Sequence, residues 1–77
     1  PIRYRDDENS LIEYYSIFHY DIFHQWMREY KNLTARPITY LILVDMGKTD
    51  SEIQQLLGVS NNAIRTLKSR LRTKKSE

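Results

Sequence analysis

The spacing of the apolar residues is the feature that most constrains this chain. They recur at steps of three and four rather than in alternation, and only two Gly and two Pro interrupt the 77 residues. Such spacing places the apolar side chains on one side of a helix, whereas a half-buried strand needs a period of two. The sequence therefore predicts a small all-α domain, whose core contributes only a few kcal/mol of net stability.

The first predicted helix is long and rich in aromatic residues. Ser10-Leu11-Ile12-Glu13 has the form of a capping box, so the helix is expected to begin near Ser10 and to run to about Asn32. Its apolar residues cover about half of the circumference, which is more than one small neighbour buries. We therefore expect both core packing and contact with a second copy of the chain. The predicted partner surface consists of Tyr15, Ile22 and Trp26.

Two shorter helices are predicted downstream. The second helix begins within residues 34–37 and ends at Gly47, and it is apolar almost all round, as expected of a helix buried on several sides. Thr49-Asp50-Ser51-Glu52 is another capping-box sequence, and it opens a third helix that ends at Gly58.

The last predicted helix spans about residues 61–74 and is capped by Ser60. Its aliphatic residues face inward and its polar residues face outward. The inward set is Ile64, Leu67 and Leu71, and the outward set is Asn62, Arg65, Thr66, Ser69 and Arg72. The prediction is one compact four-helix domain in which the flank and long helix of residues 1–32 pack on a three-helix unit of residues 33–77.

Charge is distributed unevenly along the chain. Residues 1–46 contain five basic and seven acidic side chains, whereas residues 47–77 contain seven basic and three acidic ones. The C-terminal part is therefore suited to a negatively charged partner. Asp6, Asp7 and Glu8 are interpreted as a charged flank that favours the positive end of the first helix.

Two short helices joined by Gly58-Val59-Ser60 indicate a helix-turn-helix. The major groove of B-form DNA admits one helix. That helix needs short polar side chains to approach base edges, and Arg or Lys to bind guanine and phosphate. The outward face of the last helix carries both kinds of side chain.

The segment from Leu33 to Lys74 resembles, without a gap, the LuxR/FixJ-type helix-turn-helix of bacterial transcriptional regulators. Sigma-factor region 4 is similar through the same three helices. The resemblance implies a sequence-specific, double-stranded DNA-binding domain with residues 61–74 in the major groove. The matching residues are Leu33-Thr34-x-Arg36, Gly47, Glu52-Ile53, Leu57-Gly58-Val59-Ser60, Ile64, Ser69-Arg70-Leu71 and Lys74.

The resemblance also assigns roles to individual residues. The base-reading positions of the family fall on Arg65, Thr66 and Ser69, all of which helical spacing had placed on the outward face. Asn62, in the first turn, is a further candidate base reader. The candidate phosphate contacts are Lys48, Ser60, Asn61, Lys68, Arg72 and Lys74. Arg70 is not among these candidates, because its side of the helix is expected to face partly back towards the domain.

The chain departs from the LuxR pattern at three places. Gln54 stands where the family usually has Ala, which changes the packing of the two motif helices. Ala63 stands where the family has Thr, which removes a hydroxyl that could contact the DNA backbone. The family normally continues into a fourth helix used for dimerisation, whereas this sequence ends at Glu77. We therefore expect the long first helix to mediate any homodimer.

Other function classes find little support in the sequence. There is no Cys, and His19 and His24 lie about 140° apart on a helix, too far round to bind one metal ion. No catalytic or phosphate-loop motif and no run of apolar residues long enough for a membrane span is present. We expect a cytoplasmic protein that is not an enzyme and uses no metal, cofactor or small-molecule substrate. The alternatives left open are a protein-interaction or dimerisation module built on the aromatic helix, and a sigma region 4-like domain.

Overall fold

The computed structural model describes residues 4–75, with side chains from residue 7 onward. Within this part of the chain there are five helices and no strand: α1 (Tyr4–Phe18), α2 (Tyr20–Glu29), α3 (Ala35–Asp45), α4 (Asp50–Leu57) and α5 (Asn61–Lys74). The all-α prediction is confirmed, but the chain has five helices where four were predicted. None of the helices in the described residues is both long enough and apolar enough to cross a membrane. Residues 1–3 and 76–77, at the outer ends of the two predicted segments, lie outside the described residues.

The prediction of one long first helix is wrong, because the helix breaks at His19. This residue has φ −128° and ψ 51°, outside the helical range, and it separates α1 from α2. No Gly or Pro marks the break. The surrounding aromatic and β-branched residues have weak helix propensity. In addition, the hydroxyl of Ser16 donates to the carbonyl of Glu13 at 2.7 Å, a type of bond that tends to bend helices.

The start of α1 also differs from the prediction. Ser10 lies in the interior of α1, which already includes Tyr4, so the capping box predicted at Ser10 is wrong. The helix continues towards the N-terminus, where Glu8 is buried against α3 and bonds to Arg36 and Thr39. A local capping preference contributes about 1 kcal/mol, and these contacts with α3 outweigh it.

Glu8 is buried in the contact between α1 and α3, whereas the sequence predicted a charged flank that acts on the positive end of the first helix. The residue is 4% exposed. Its Oε2 lies 2.9 Å from Nη2 of Arg36, and its Oε1 lies 3.0 Å from the hydroxyl of Thr39. The side chain of Asp6 lies outside the described residues. Glu8 therefore joins the first helix to α3 through a buried ion pair rather than acting on a helix dipole.

Buried side chains on α3 pack into two separate groups. One group joins α3 to α1 and α2, and consists of Tyr15, Trp26, Ile38 and Ile42. The other joins α3 to α4 and α5, and consists of Tyr40, Leu43, Ile53, Leu57, Ile64, Leu67 and Leu71. The prediction that α3 is buried from more than one side is confirmed for these residues. Towards its C-terminal end the helix surface opens, and Val44 and Met46 are exposed.

The predicted signals between α4 and α5 are confirmed. The capping box is complete, since the N–H of Glu52 donates to Oγ1 of Thr49 at 3.2 Å and the N–H of Thr49 donates to Oε1 of Glu52 at 2.8 Å. Gly58 ends α4 in the left-handed region, with φ 66° and ψ 37°. Ser60 then caps α5 by accepting a hydrogen bond from the N–H of Ala63 at 3.2 Å. These local features fix the end of α4, the turn after it and the start of α5.

Replacing Arg36 by Ala is expected to destabilise the fold, because the buried carboxylate of Glu8 would lose the cation that compensates it. The expected loss is about 3 kcal/mol of unfolding free energy, measured by chemical denaturation with circular dichroism. Arg28→Ala, at an exposed position, is the matched control and should change stability by less than about 0.5 kcal/mol. Adding Glu8→Gln to Arg36→Ala should recover part of the loss. Unchanged stability of Arg36→Ala would contradict the role assigned to the pair.

Candidate nucleic-acid interface

Packing of the aliphatic side of α5 decides which of its residues meet solvent. Ile64, Leu67 and Leu71 are buried against α3 and α4. All the residues predicted to face outward are exposed: Asn62, Arg65, Thr66, Ser69 and Arg72. The orientation predicted from helical spacing is thus confirmed, and in the described structure the backbones of α1 and α2 do not approach that of α5.

The outer face of α5 is strongly basic. Residues 61–74 contain no acidic side chain, and four of their five basic side chains are exposed, namely Arg65, Lys68, Arg70 and Arg72. Neither Arg65 nor Arg72 forms an ion pair with another described residue, so both guanidinium groups keep their donors for a ligand. Thr66 differs, since its hydroxyl donates to the carbonyl of Asn62 at 3.0 Å. Its oxygen remains able to accept a hydrogen bond from a base amino group.

The first turn of α5 presents small polar side chains. Asn61 and Asn62 are exposed at the end of the helix where unpaired backbone N–H groups favour anions. The hydroxyl oxygen of Ser60 is engaged in the cap, while its proton is still available to a phosphate. The half-buried Ala63 follows, at the position where the resembling family has Thr.

A polar chain that was not predicted connects α3, α4 and α5. Asp50, the first residue of α4, accepts from the hydroxyl of Tyr40 at 2.8 Å and pairs with Nζ of Lys68 at 2.8 Å. The hydrogen bond with Lys68, with a further one from Tyr40, holds the pKa of Asp50 below its ordinary value. Burial, together with the hydrogen bond to Asp50, raises the pKa of Tyr40 to about 12. Lys68, predicted to bind phosphate, is thus held beside the N-terminus of α4.

Lys48 and Lys74 occupy different environments, although both were predicted to bind phosphate. Lys48 is exposed in the connection between α3 and α4. Lys74 is half-buried, and its ammonium donates to the carbonyl of Asn32 at 3.0 Å, while its own carbonyl accepts from the N–H of Lys31 at 2.7 Å. Lys74 therefore anchors the end of α5 to the segment between α2 and α3 and lies away from the outer face.

The predicted partner surface is corrected by the structure. Tyr15 and Trp26 are buried at 3% and 6% exposure, with their rings stacked 6.1 Å apart, and Ile22 is half-buried. The hydroxyl of Tyr15 donates to Asp45 at 2.8 Å, and burial together with this bond raises its pKa to about 12. Because the helix breaks at His19, a different set of apolar residues is exposed around the α1–α2 corner: Tyr14, Ile17, Phe18 and Tyr20.

Sequence reasoning missed the residues whose partners lie far along the chain. Thirty positions separate Tyr15 from Asp45, and 18 separate Asp50 from Lys68. The only available signal was that Asp50 opens a capped helix, which says nothing about Lys68. Among the described residues, no group of three or more His, Asp or Glu side chains could hold a metal ion.

No protein-family model, curated protein or solved structure matches this chain. The resemblance to LuxR-type domains therefore rests on the matching residues within 33–74.

Stability is expected to fall in acid because of Asp50. Its pKa is lower in the folded chain, so its contribution is present above its unfolded pKa of about 4 and is lost as the pH falls through the folded value. Glu52, whose pKa the backbone N–H of Thr49 lowers, acts in the same direction. Urea unfolding between pH 6 and pH 3 (about these limits) should therefore show a shallower decline for Asp50→Asn than for the wild type. Parallel curves would contradict the role given to Asp50.

Proposed function

We propose that this chain is a sequence-specific DNA-binding domain of a bacterial transcriptional regulator of LuxR type, with α5 in the major groove. The observation that carries the proposal is the two-sidedness of α5. Its aliphatic side is buried, and its opposite side exposes basic and small polar groups with no acidic residue among them. With its side chains, a helix is about 10–12 Å across, which matches the roughly 12 Å width of the groove.

Base reading is assigned to the middle of the outer face. Arg65 is exposed and carries the planar fork of donors that binds O6 and N7 of guanine together. Asn62 lies one turn earlier and has the donor and acceptor needed for adenine. Ser69 lies one turn later and is short enough to let the helix approach closely. Thr66 borders this row and offers a methyl group to thymine and a hydroxyl oxygen to an amino group.

Phosphate binding is assigned to the edges of the same face. Arg72 and Asn61 lie at opposite ends of the exposed row on α5, and Lys48 is exposed next to the start of α4. Lys68 reaches a phosphate only if its ammonium is shared with Asp50, since Nζ of Lys68 lies 2.8 Å from Oδ2 of Asp50. Ser60 adds a hydroxyl donor, whereas Lys74 supports the interface by anchoring α5.

Arg65→Ala is expected to weaken binding to a selected site by about 1–3 kcal/mol and to relax one base position, because the fork that reads guanine is lost. Fluorescence anisotropy on duplexes selected from a random library measures the effect. Arg72→Ala is the comparison, since loss of a phosphate contact should weaken selected and random duplexes alike. Equal losses on both duplexes for Arg65→Ala would overturn its assignment as a base reader.

Binding to random duplex should also depend steeply on salt. About four to six phosphate contacts correspond to a log–log slope near −4 to −5. A titration at several salt concentrations measures the slope, and no binding at low salt would overturn the proposed function. Binding to promoter DNA only together with core RNA polymerase would instead favour a sigma region 4-like domain.

A second candidate function, a homodimerisation module on the aromatic helices, is favoured by the exposed corner between α1 and α2. Tyr14, Ile17, Phe18 and Tyr20 are 50%, 61%, 67% and 57% exposed, and the rings of Tyr14 and Phe18 lie 4.8 Å apart. Three half-exposed aromatic side chains present roughly 350 Å² of surface, comparable with the largest patch on a typical monomer. A second copy would cover the patch and place two α5 helices for the two half-sites of an operator.

If this corner mediates a homodimer, Phe18→Ser should shift the protein to monomer without unfolding it. Phe18 is 67% exposed, so the change removes little of the core. Size-exclusion chromatography with light scattering across a concentration series measures the shift. Met27→Ser, at another exposed apolar position on α2, is the matched control. A wild-type protein that stays monomeric at high concentration would contradict the dimer.

A further inference from the structure

The basic residues on the two flanks of α5 differ in whether they already form an ion pair. Successive helix residues are 100° apart, so Lys68 and Arg70 lie on either side of Ser69. In a major groove, these flanks face the phosphates of the two bordering strands. Lys68 is already bound to Asp50. Arg70 is exposed and forms no ion pair with another described residue.

Arg70 borders a shallow cleft between α5 and the first turn of α3. The cleft has a volume of about 330 Å³, and Arg36 stands on its other side. None of the described residues that line it is acidic. Between the two arginines lie mostly apolar groups, namely Val59, Ala63, Thr66 and Leu67.

Arg36 is held in a fixed position in this cleft. Its Nη2 lies 2.9 Å from Oε2 of Glu8, and the arginine side chain is 34% exposed whereas that of Glu8 is only 6% exposed. A guanidinium has five N–H donors on a rigid plane, so this pairing leaves donors for a second ligand. Because Glu8 compensates the charge of Arg36, Arg36 contributes directed donors and Arg70 contributes the net positive charge.

We propose that the cleft between Arg36 and Arg70 binds a backbone phosphate of the DNA strand that borders the groove on this side of α5. The inference rests on the proposed function and deepens it. Lys48 and Lys68 are assigned to the phosphates of one DNA strand, and the cleft is assigned to a phosphate of the other strand. It also gives α1 a part in DNA binding, because Glu8 of α1 holds one of the two arginines. Arg36 acts as a donor to the phosphate, and Glu8 acts as its positioning residue.

Arg70→Gln tests the proposal, because it removes one charge at an exposed site without altering the core. On random duplex, the log–log salt slope should become smaller by about 0.9, the value for one phosphate contact, and selected and random duplexes should weaken by the same factor. Arg28→Gln makes the same charge change at an exposed position on α2 that does not line the cleft, and it should leave the slope unchanged.

Arg36→Lys is the second variant. A lysine keeps the charge and can pair with Glu8, but its single ammonium cannot also present a fork to phosphate. We expect weaker binding to both duplexes with the wild-type slope. A thermal melt followed by circular dichroism checks that each variant is folded.

Inorganic phosphate distinguishes a general anion site from one specific to the DNA backbone. At constant ionic strength, added phosphate that weakens DNA binding by the wild type but not by Arg70→Gln would mean that the cleft also takes the free ion. Phosphate without effect on either protein would mean that the backbone geometry is required. Both outcomes support the cleft as a phosphate site, provided that Arg70→Gln makes the log–log salt slope smaller.

Failure of this inference differs from failure of the proposed function. If the wild type binds duplex DNA with a steep salt slope and both Arg70→Gln and Arg36→Lys match it in affinity and slope, the cleft is not a phosphate site and the assignment of α5 stands. If the wild type binds no duplex at low salt, both fail together.

Discussion

α3 is buried from two sides, and this packing holds the two halves of the fold together. One side packs against Tyr15 and Trp26, and the other side packs against the aliphatic residues of α4 and α5. Among the described residues, α3 contributes buried side chains to both groups, and Leu11 of α1 also packs against each of them. A chain of this size has little core to lose, so α3 serves as the common support that fixes the N-terminal helices and the helix-turn-helix in one unit.

The polar links between helices reinforce the same support. Tyr15 reaches Asp45 at one end of α3, Glu8 reaches Arg36 and Thr39 near the other end, and Tyr40 reaches Asp50. Each link satisfies groups that would be costly to bury unpaired. Two of them end close to the proposed interface, at Arg36 and at Asp50 beside Lys68. The contacts that stabilise the fold therefore also orient cations that face the solvent around α5.

The elements predicted well are those whose signals are local. The capping box at Thr49, the left-handed Gly58 and the cap at Ser60 depend on atoms within a few residues of one another, and the structure shows all three. The break at His19 was missed because neither Gly nor Pro marks it. The aromatic residues around it each lower the helix propensity only slightly, so no single residue indicates the break. The displaced partner surface follows from that one error, since a break turns the two halves of a helix in different directions.

The helical class, the turn between α4 and α5 and the exposed face of α5 could all be predicted from the sequence, because helical periodicity and capping act over one or two turns of chain. The burial of Glu8, the partners of Lys68 and Lys74, and the cleft shared by Arg36 and Arg70 become visible only in the folded chain. These facts depend on pairs far apart in the chain, such as the 31 positions between Glu8 and Thr39. Their proximity is fixed by how α1 and α5 pack on α3, and no local pattern of residues encodes that packing.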